Sequence, residues 1–273
     1  MNTRRKFLFF LSGGKPAPKF TTEYQDVIDY ATAQSYTLPS EPQQTAQNQL
    51  VLDLKAAGVW EKYKELHIWR TGQVGQGDFK SIDWKRLNTA SYVSAPALAV
   101  TGIEGDGVSA YVDLNFDVAS HFPSSDITFG CWSVNGTLGT KAQMGSLISG
   151  ETFTQIVPSL QPSVPRFRFF VGGNDAGEAV DVGITENQDT ELITLSKSGN
   201  EGVLRKNETQ IGTYTRAALP PNSQSVFALA RNLNGSPDLY SNDTLSITFH
   251  AELLTLAEIT AMKTALDTYF ASL

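Results

Sequence analysis

Between Ser91 and Leu253 the chain alternates apolar and polar side chains in short segments, and helical periodicity appears only outside that stretch. In Ser109–Phe116, the residues Val112, Leu114 and Phe116 share one register, while Tyr111, Asp113 and Asn115 share the other. Successive side chains of a strand point to opposite faces, so this spacing gives one apolar face and one more polar face. The pattern returns at 126–133, 166–171, 191–196, 225–230 and 245–251, with turn-forming clusters between. Strands in such succession predict a β-sandwich rather than a βαβ fold. Asn135-Gly136 and Asn234-Gly235 mark hairpins, and Gly105-Asp106-Gly107 supplies the positive φ that a tight connection needs.

Helices bracket the strands. Tyr24, Val27, Ile28 and Ala31 make an i, i+3, i+4, i+7 stripe over Thr22–Ala33, with Thr21 or Thr22 as cap. A second helix opens at Ser40 with Pro42 in its first turn and runs to Ala57. It places Gln47, Leu50, Val51, Leu54 and Lys55 on one side, and Gly58 follows as its terminator. Thr255 and Glu258 form a capping box for a last helix ending near Phe270, with Leu256, Ile259, Met262 and Leu266 on its buried side. The expected organisation is an arm at 1–20, a helical segment at 21–65, and a sandwich with a closing C-terminal helix at 66–273.

Composition narrows the function classes. A net charge of −7 over 273 residues argues against nucleic acid, which needs clustered Lys and Arg. The single cysteine, Cys131, lies in the apolar run Phe129–Trp132 and reads as a buried, inert thiol. No stretch approaches the ~20 apolar residues of a membrane span.

The first residues, Thr3–Leu8, have the outline of a twin-arginine export signal. The apolar run Phe7–Leu11 is shorter than the ~7–15 residues such a signal uses. Arg4, Arg5 and Lys6 followed by Phe7, Leu8, Phe9, Phe10 and Leu11, then a Gly/Pro-rich hinge, instead suggest an assembly arm. That arm is expected to insert into a neighbouring copy or another protein.

Several stretches carry a resemblance: Tyr36–Ser40, Gln43–Gln49, Leu50–Trp60, Ile82–Lys85, Gly105–Asp113, Ala228–Asn232, Leu239–Ser241 and Leu254–Glu258. Their order resembles the concanavalin A-like (laminin-G-like) jelly-roll domains of bacteriophage head-surface, tail and fibre proteins, especially those of phages with Bacteroidetes hosts. It covers roughly residues 22–273. The resemblance implies an all-β jelly roll with two N-terminal helices and one C-terminal helix. It also implies a non-enzymatic structural protein on the virion surface, with other virion proteins as partners and a homo-oligomeric state. Contact with host-surface glycans is a further implication. The alternatives are a carbohydrate-binding lectin or adhesin, or a glycoside hydrolase of the same fold.

The residues themselves were weighed for chemistry. Retaining glycosidases hold two carboxyls ~5–5.5 Å apart. Asp113 and Asp117 share a face but sit ~13 Å apart along a strand, and Glu178 and Asp181 point to opposite faces. This pattern predicts no enzyme and no catalytic residue. His67, His121 and His250 are scattered, and His250 reads as a hydrogen-bonded strand residue. Asn174-Asp175 and Asn187–Asp189 read as turns, so no metal or cofactor is expected. Trp69, Trp84, Trp132, Tyr92, Tyr214 and Tyr240 are the candidate sugar-stacking aromatics; Trp132 is expected in the core. Tyr240, beside the turn-rich 232–238 loop, and Trp69 are named as the ligand-binding candidates.

Overall fold

The computed structural model describes residues 19–124, 126–135, 141–148, 153–157, 166–171, 182–183, 191–215, 221 and 223–273. Five helices are present among them: α1 (Thr22–Ala33), α2 (Glu41–Ala56), α3 (Gly77–Lys80), α4 (Val118–His121) and α5 (Leu256–Ala271). The strands run β1 (Tyr63–Ile68), β2 (Ser91–Val93), β3 (Ala97–Ala99), β4 (Gly102–Glu104), β5 (Tyr111–Asp117), β6 (Ile127–Val134), β7 (Met144–Leu147), β8 (Phe153–Val157) and β9 (Arg166–Val171). They continue with β10 (Val182–Gly183), β11 (Glu191–Ser198), β12 (Glu201–Lys206), β13 (Thr209–Thr215), β14 (Ser225–Ala228), β15 (Arg231–Leu233), β16 (Ser236–Asp238) and β17 (Thr244–Glu252).

The strands form two sheets. One follows the order β13-β12-β11-β6-β17-β4-β3, with β1 also paired to β17; the other follows β10-β9-β8-β7-β14-β5-β2, with β15 paired to β7 and β16 to β15. Alternation explains how they stack. Val112, Leu114 and Phe116 of β5 meet Ile127, Phe129 and Cys131 of β6 in a dry layer between the sheets. Trp132 and Val134 of β6 point the other way, into a second layer shared with α1, α2 and α5. The first sheet is therefore covered on both faces, by helices and by the second sheet. That is why β6 is buried along its whole length, where a two-layer sandwich would leave every second residue wet. Among the described residues, no helix covers the outer face of the second sheet.

The helix ends follow the sequence closely. The Thr21 side chain accepts from the Tyr24 N–H, the Ser40/Gln43 pair closes a capping box on α2, and Thr255 with Glu258 does the same on α5. Gly58 takes φ +73° after α2. Asn234 and Gly235, at φ +52° and +87°, join β15 to β16 in a two-residue hairpin. Gly105 has another role. A Cβ there would stand 1.9 Å from the Ser241 carbonyl oxygen, so close backbone approach, not positive φ, requires glycine; the positive φ belongs to Gly107.

The division at 65/66 runs through a strand. Tyr63–Ile68 pairs with β17, with Leu66 opposite Phe249. Lys55, grouped with the apolar side of the second helix, is exposed and forms an ion pair with Glu23 of α1.

Candidate functional site

The outer face of the second sheet, which no helix covers among the described residues, gathers an aromatic cluster. On β5, Tyr111, Asp113 and Asn115 point away from the core that buries Val112, Leu114 and Phe116. The β14 register sets Phe227 opposite Asp113, and the Tyr111 and Phe227 rings lie 4.6 Å apart. Tyr240, from the segment after β16, places its ring 6.2 Å from Tyr111. Tyr111 and Tyr240 are both half-buried. Burial, then the Asp113 carboxylate and Tyr240, raises the Tyr111 phenol above its ordinary value.

Asp113 is oriented by its neighbours. Its Oδ1 accepts the Asn115 N–H at 2.9 Å and the Ser225 hydroxyl. Asn115, in the left-handed region at φ +49°, sends its amide to the Thr89 carbonyl and the Ser91 hydroxyl. Backbone and side chain together thus hold one carboxylate beside the aromatic rings, and its second oxygen has no hydrogen-bond partner among the described residues. Such an arrangement can stack the apolar face of a sugar ring and accept hydrogen bonds from its hydroxyls.

A second polar group lies inside. Glu65 and His67 of β1 and Thr248 and His250 of β17 face the layer between the sheets, and all are buried. The Nδ1 atom of His250 is 2.8 Å from Glu65 Oε2, and His67 Nε2 is 3.4 Å from Glu65 Oε1. Asp83 accepts the backbone N–H groups of Leu66, Lys85 and Arg86 and pairs with the Arg86 guanidinium at 2.5 Å. Arg86 continues to the carbonyls of Asn115 and Leu114 and lies over the Phe116 ring. Burial pushes the Glu65 carboxyl up to about 7, helped by Asp83 and opposed by His67. Burial pushes His250 down to about 3 and also lowers His67. Both partners of the Glu65–His250 contact are thereby driven towards their neutral forms.

The structure sorts the sequence candidates. Tyr240 sits in the open aromatic cluster. Trp69 does not: it is 0 % exposed, stacked 4.6 Å from His67, and its indole N–H donates to Thr248. A buried indole presents no face to a sugar, so that assignment is corrected. Trp84, Trp132 and Tyr214 are buried as well, and Tyr92 directs its hydroxyl to the Gly77 carbonyl. Arg4, Arg5, Phe7, Leu8, Phe9, Phe10 and Leu11 lie outside the described residues, as do Asn174, Asp175, Glu178, Asp181, Glu186 and 187–189.

The histidines are not all apart. The β1/β17 register brings His67 and His250 to one carboxylate, a meeting that 182 intervening positions hide in the chain. Tyr111 and Phe227 were missed as site residues. The signal was present: Tyr111 opens its strand in the register of Asp113, opposite Val112. Recesses of about 590 and 320 Å³ between α2 and α5, and one of about 520 Å³ beside His121, contain none of the aromatic cluster.

No protein-family model and no curated protein sequence matches this chain. Solved structures do match its fold. A mutant of Trypanosoma rangeli sialidase displaying trans-sialidase activity aligns with a TM-score of 0.59 at 14 % identity, over 90 % of this chain and 39 % of the sialidase. Domain 4 of AbnA, an extracellular GH43 arabinanase of Geobacillus stearothermophilus solved with arabinotriose, aligns with 0.54 at 13 %, over 74 % of this chain and 98 % of that domain. The Trypanosoma rangeli sialidase with 2,3-difluorosialic acid aligns with 0.52 at 13 %, over 83 % and 39 %. This chain thus spans about two fifths of the sialidase length.

These likenesses correct the expectation that the chain is not an enzyme. That expectation came from the carboxyl spacing of retaining glycosidases, whereas the fold is shared with chains from a sialidase and an arabinanase. The lack of that spacing does not exclude glycoside chemistry on such a fold, because function resides in the site and not in the scaffold.

Proposed function

We propose that this sandwich is a carbohydrate-recognition unit of the concanavalin A-like jelly-roll type, taking an oligosaccharide on the outer side of its second sheet at Tyr111 and Tyr240, with the buried Phe227 ring supporting Tyr111. The observation that carries the reading is the aromatic cluster beside the oriented Asp113 carboxylate, on a face that no described helix covers. Sugar rings offer an apolar C–H face and a rim of hydroxyl donors, which those two features match. The likeness to an arabinanase domain solved with arabinotriose adds support at the level of fold.

The test is titration of the protein with arabinotriose and with a panel of immobilised glycans, beside the double variant Tyr111→Ala/Tyr240→Ala. Binding by the parent and its loss in the folded variant is the expected result; a panel with no binder overturns the reading. The same substrates are followed for release of reducing sugar, so that turnover by the parent protein would move the assignment from recognition to hydrolysis.

Placement on a virion surface through residues 1–20, with other virion proteins or further copies of this chain as partners, is a separate proposal supported by the sequence resemblance alone. It is tested by whether the chain deleted for 1–14 still joins particles.

A further inference from the structure

We propose that the glycan taken by this face is neutral, and that sugars bearing a carboxylate, such as sialic or uronic acids, are rejected. The inference rests on the carbohydrate-recognition reading and adds the charge class of the ligand.

It follows from the charges that β5 and its neighbours carry. Asp113 stands beside the aromatic rings with Oδ1 engaged by Asn115 and Ser225. Asp117, on the same side of β5, accepts the Ser120 N–H at 2.8 Å. Asp106, in the turn that leads into β5, accepts the N–H groups of Val108, Ser109 and Ala110 at 2.7–2.8 Å. Those three donors hold its carboxyl far below the ordinary range and favour the charged form. Three carboxylates therefore attend one strand.

Among the described residues, three cations near β5, β15 and β7 are each engaged by protein partners. Arg231 grips Asp238 through two bonds of 2.8 and 2.5 Å. Arg86 is held by Asp83 and by the carbonyls of Leu114 and Asn115. Lys141 pairs with Asp243 and with Asn242. Recognition of a carboxylate asks for a positive or multiply donating partner, preferably an arginine fork. A carboxylate acceptor such as Asp113 suits sugar hydroxyls, which donate to it, and repels an acidic sugar.

The fold neighbours make the choice pointed, since the sialidase and the arabinanase domain were solved with ligands of opposite charge class: an acidic difluorosialic acid and the neutral arabinotriose. The charge distribution favours the second class for this chain.

The experiment compares matched ligands, a neutral oligosaccharide and its sialylated or uronic-acid counterpart, by calorimetry and on the glycan panel, at low and high salt. The parent protein is expected to bind neutral members with at least about tenfold higher affinity. Salt is expected to narrow the gap, as is Asp113→Asn or, should that variant misfold, Asp117→Asn. Acidic members that bind as tightly as neutral ones, or more tightly, overturn the charge inference and leave the recognition reading standing. Failure of every neutral and acidic glycan to bind overturns both.

Discussion

Two clusters of polar and aromatic side chains lie on opposite sides of β5, and they differ in what surrounds them. Behind the strand, Glu65, His67, Asp83 and His250 are fully buried, with the partly buried Arg86 at their edge over Phe116. In front of it, the half-buried Tyr111, Tyr240 and Asp113 reach solvent, with Phe227 buried beside Tyr111. The inner cluster has more of the residue types associated with catalysis. Its carboxylates and histidines are sealed in, so they serve packing and are driven to neutrality or into pairs. The outer cluster is chemically plainer, yet parts of the Tyr111 and Tyr240 rings and of the Asp113 carboxylate reach the surface. Accessibility, more than residue type, separates the structural group from the functional one.

The largest expected effect falls on the inner side. Phe116 is fully buried against His121, Phe122 and His250, with Arg86 over its ring. Phe116→Ala should cost about 3–5 kcal/mol in denaturant melts. A loss under about 1 kcal/mol would mean that the inner layer is not packed as described, and the contrast between the two sides would collapse.

A smaller effect comes from Glu65. Replacing it with Gln should cost about 1 kcal/mol at mildly acid pH, because the amide only partly reproduces the carboxyl's contacts to His250 Nδ1 and Thr248 in a dry site. The pH dependence has a definite sign. Glu65 has a raised folded pKa, so its contribution is complete below the ordinary value of 4.5 and is lost as pH rises through about 7. His250 and His67 have lowered values, so theirs is complete above 6.5 and is lost as pH falls towards 3 for His250. Asp83 and Arg86 also face this group. The stability difference between the parent and Glu65→Gln should therefore shrink as pH rises from about 4.5 to 7. A difference that is flat or growing over that interval would show an ionised Glu65.

How much of this contrast could be read in the sequence depends on distance along the chain. The capped helices and the alternating strands are local patterns, so Thr21, Ser40 and Thr255 announced their helices and Val112, Leu114 and Phe116 announced the inner face of β5. The third layer was hidden because the alternation of a strand does not say whether its polar face meets water or helices. Thr128, on the Trp132 side of β6, looks like a surface residue in the sequence and is buried, its hydroxyl accepting the Leu254 N–H. The Glu65–His250 contact spans 185 positions and depends on β1 pairing with β17. Tyr111 and Tyr240 are likewise far apart in the chain, at 129 positions. Trp69 misled because an indole reads the same way whether it faces a ligand or, as here, Thr248 and His67.

On the outer side, Tyr240→Ala should lower glycan affinity by roughly 1 kcal/mol, about fivefold, while changing folding stability by less than about 1 kcal/mol. The expected split between binding and stability is the reverse of that for Phe116. An equal loss of both would mean that Tyr240 belongs to the packed interior.

The finest probe is Tyr111→Phe, which removes one oxygen and leaves the ring against Phe227. The Tyr111 ring is half-buried, and its hydroxyl has no hydrogen-bond partner among the described residues. Removing the hydroxyl should therefore shift stability by no more than about 0.5 kcal/mol. If it donates to or accepts from a bound sugar, affinity should fall by roughly 0.5–1.5 kcal/mol, a factor of about 2–13. Because the ring is retained, that loss would report the hydroxyl alone and separate hydrogen bonding from stacking. Unchanged affinity would mean that Tyr111 acts through its aromatic face only, with Asp113 supplying the polar contact. A stability loss above about 1 kcal/mol would reveal a structural partner for the hydroxyl, and Tyr111 would then belong with the inner group, whose side chains hold the fold and are closed to ligands.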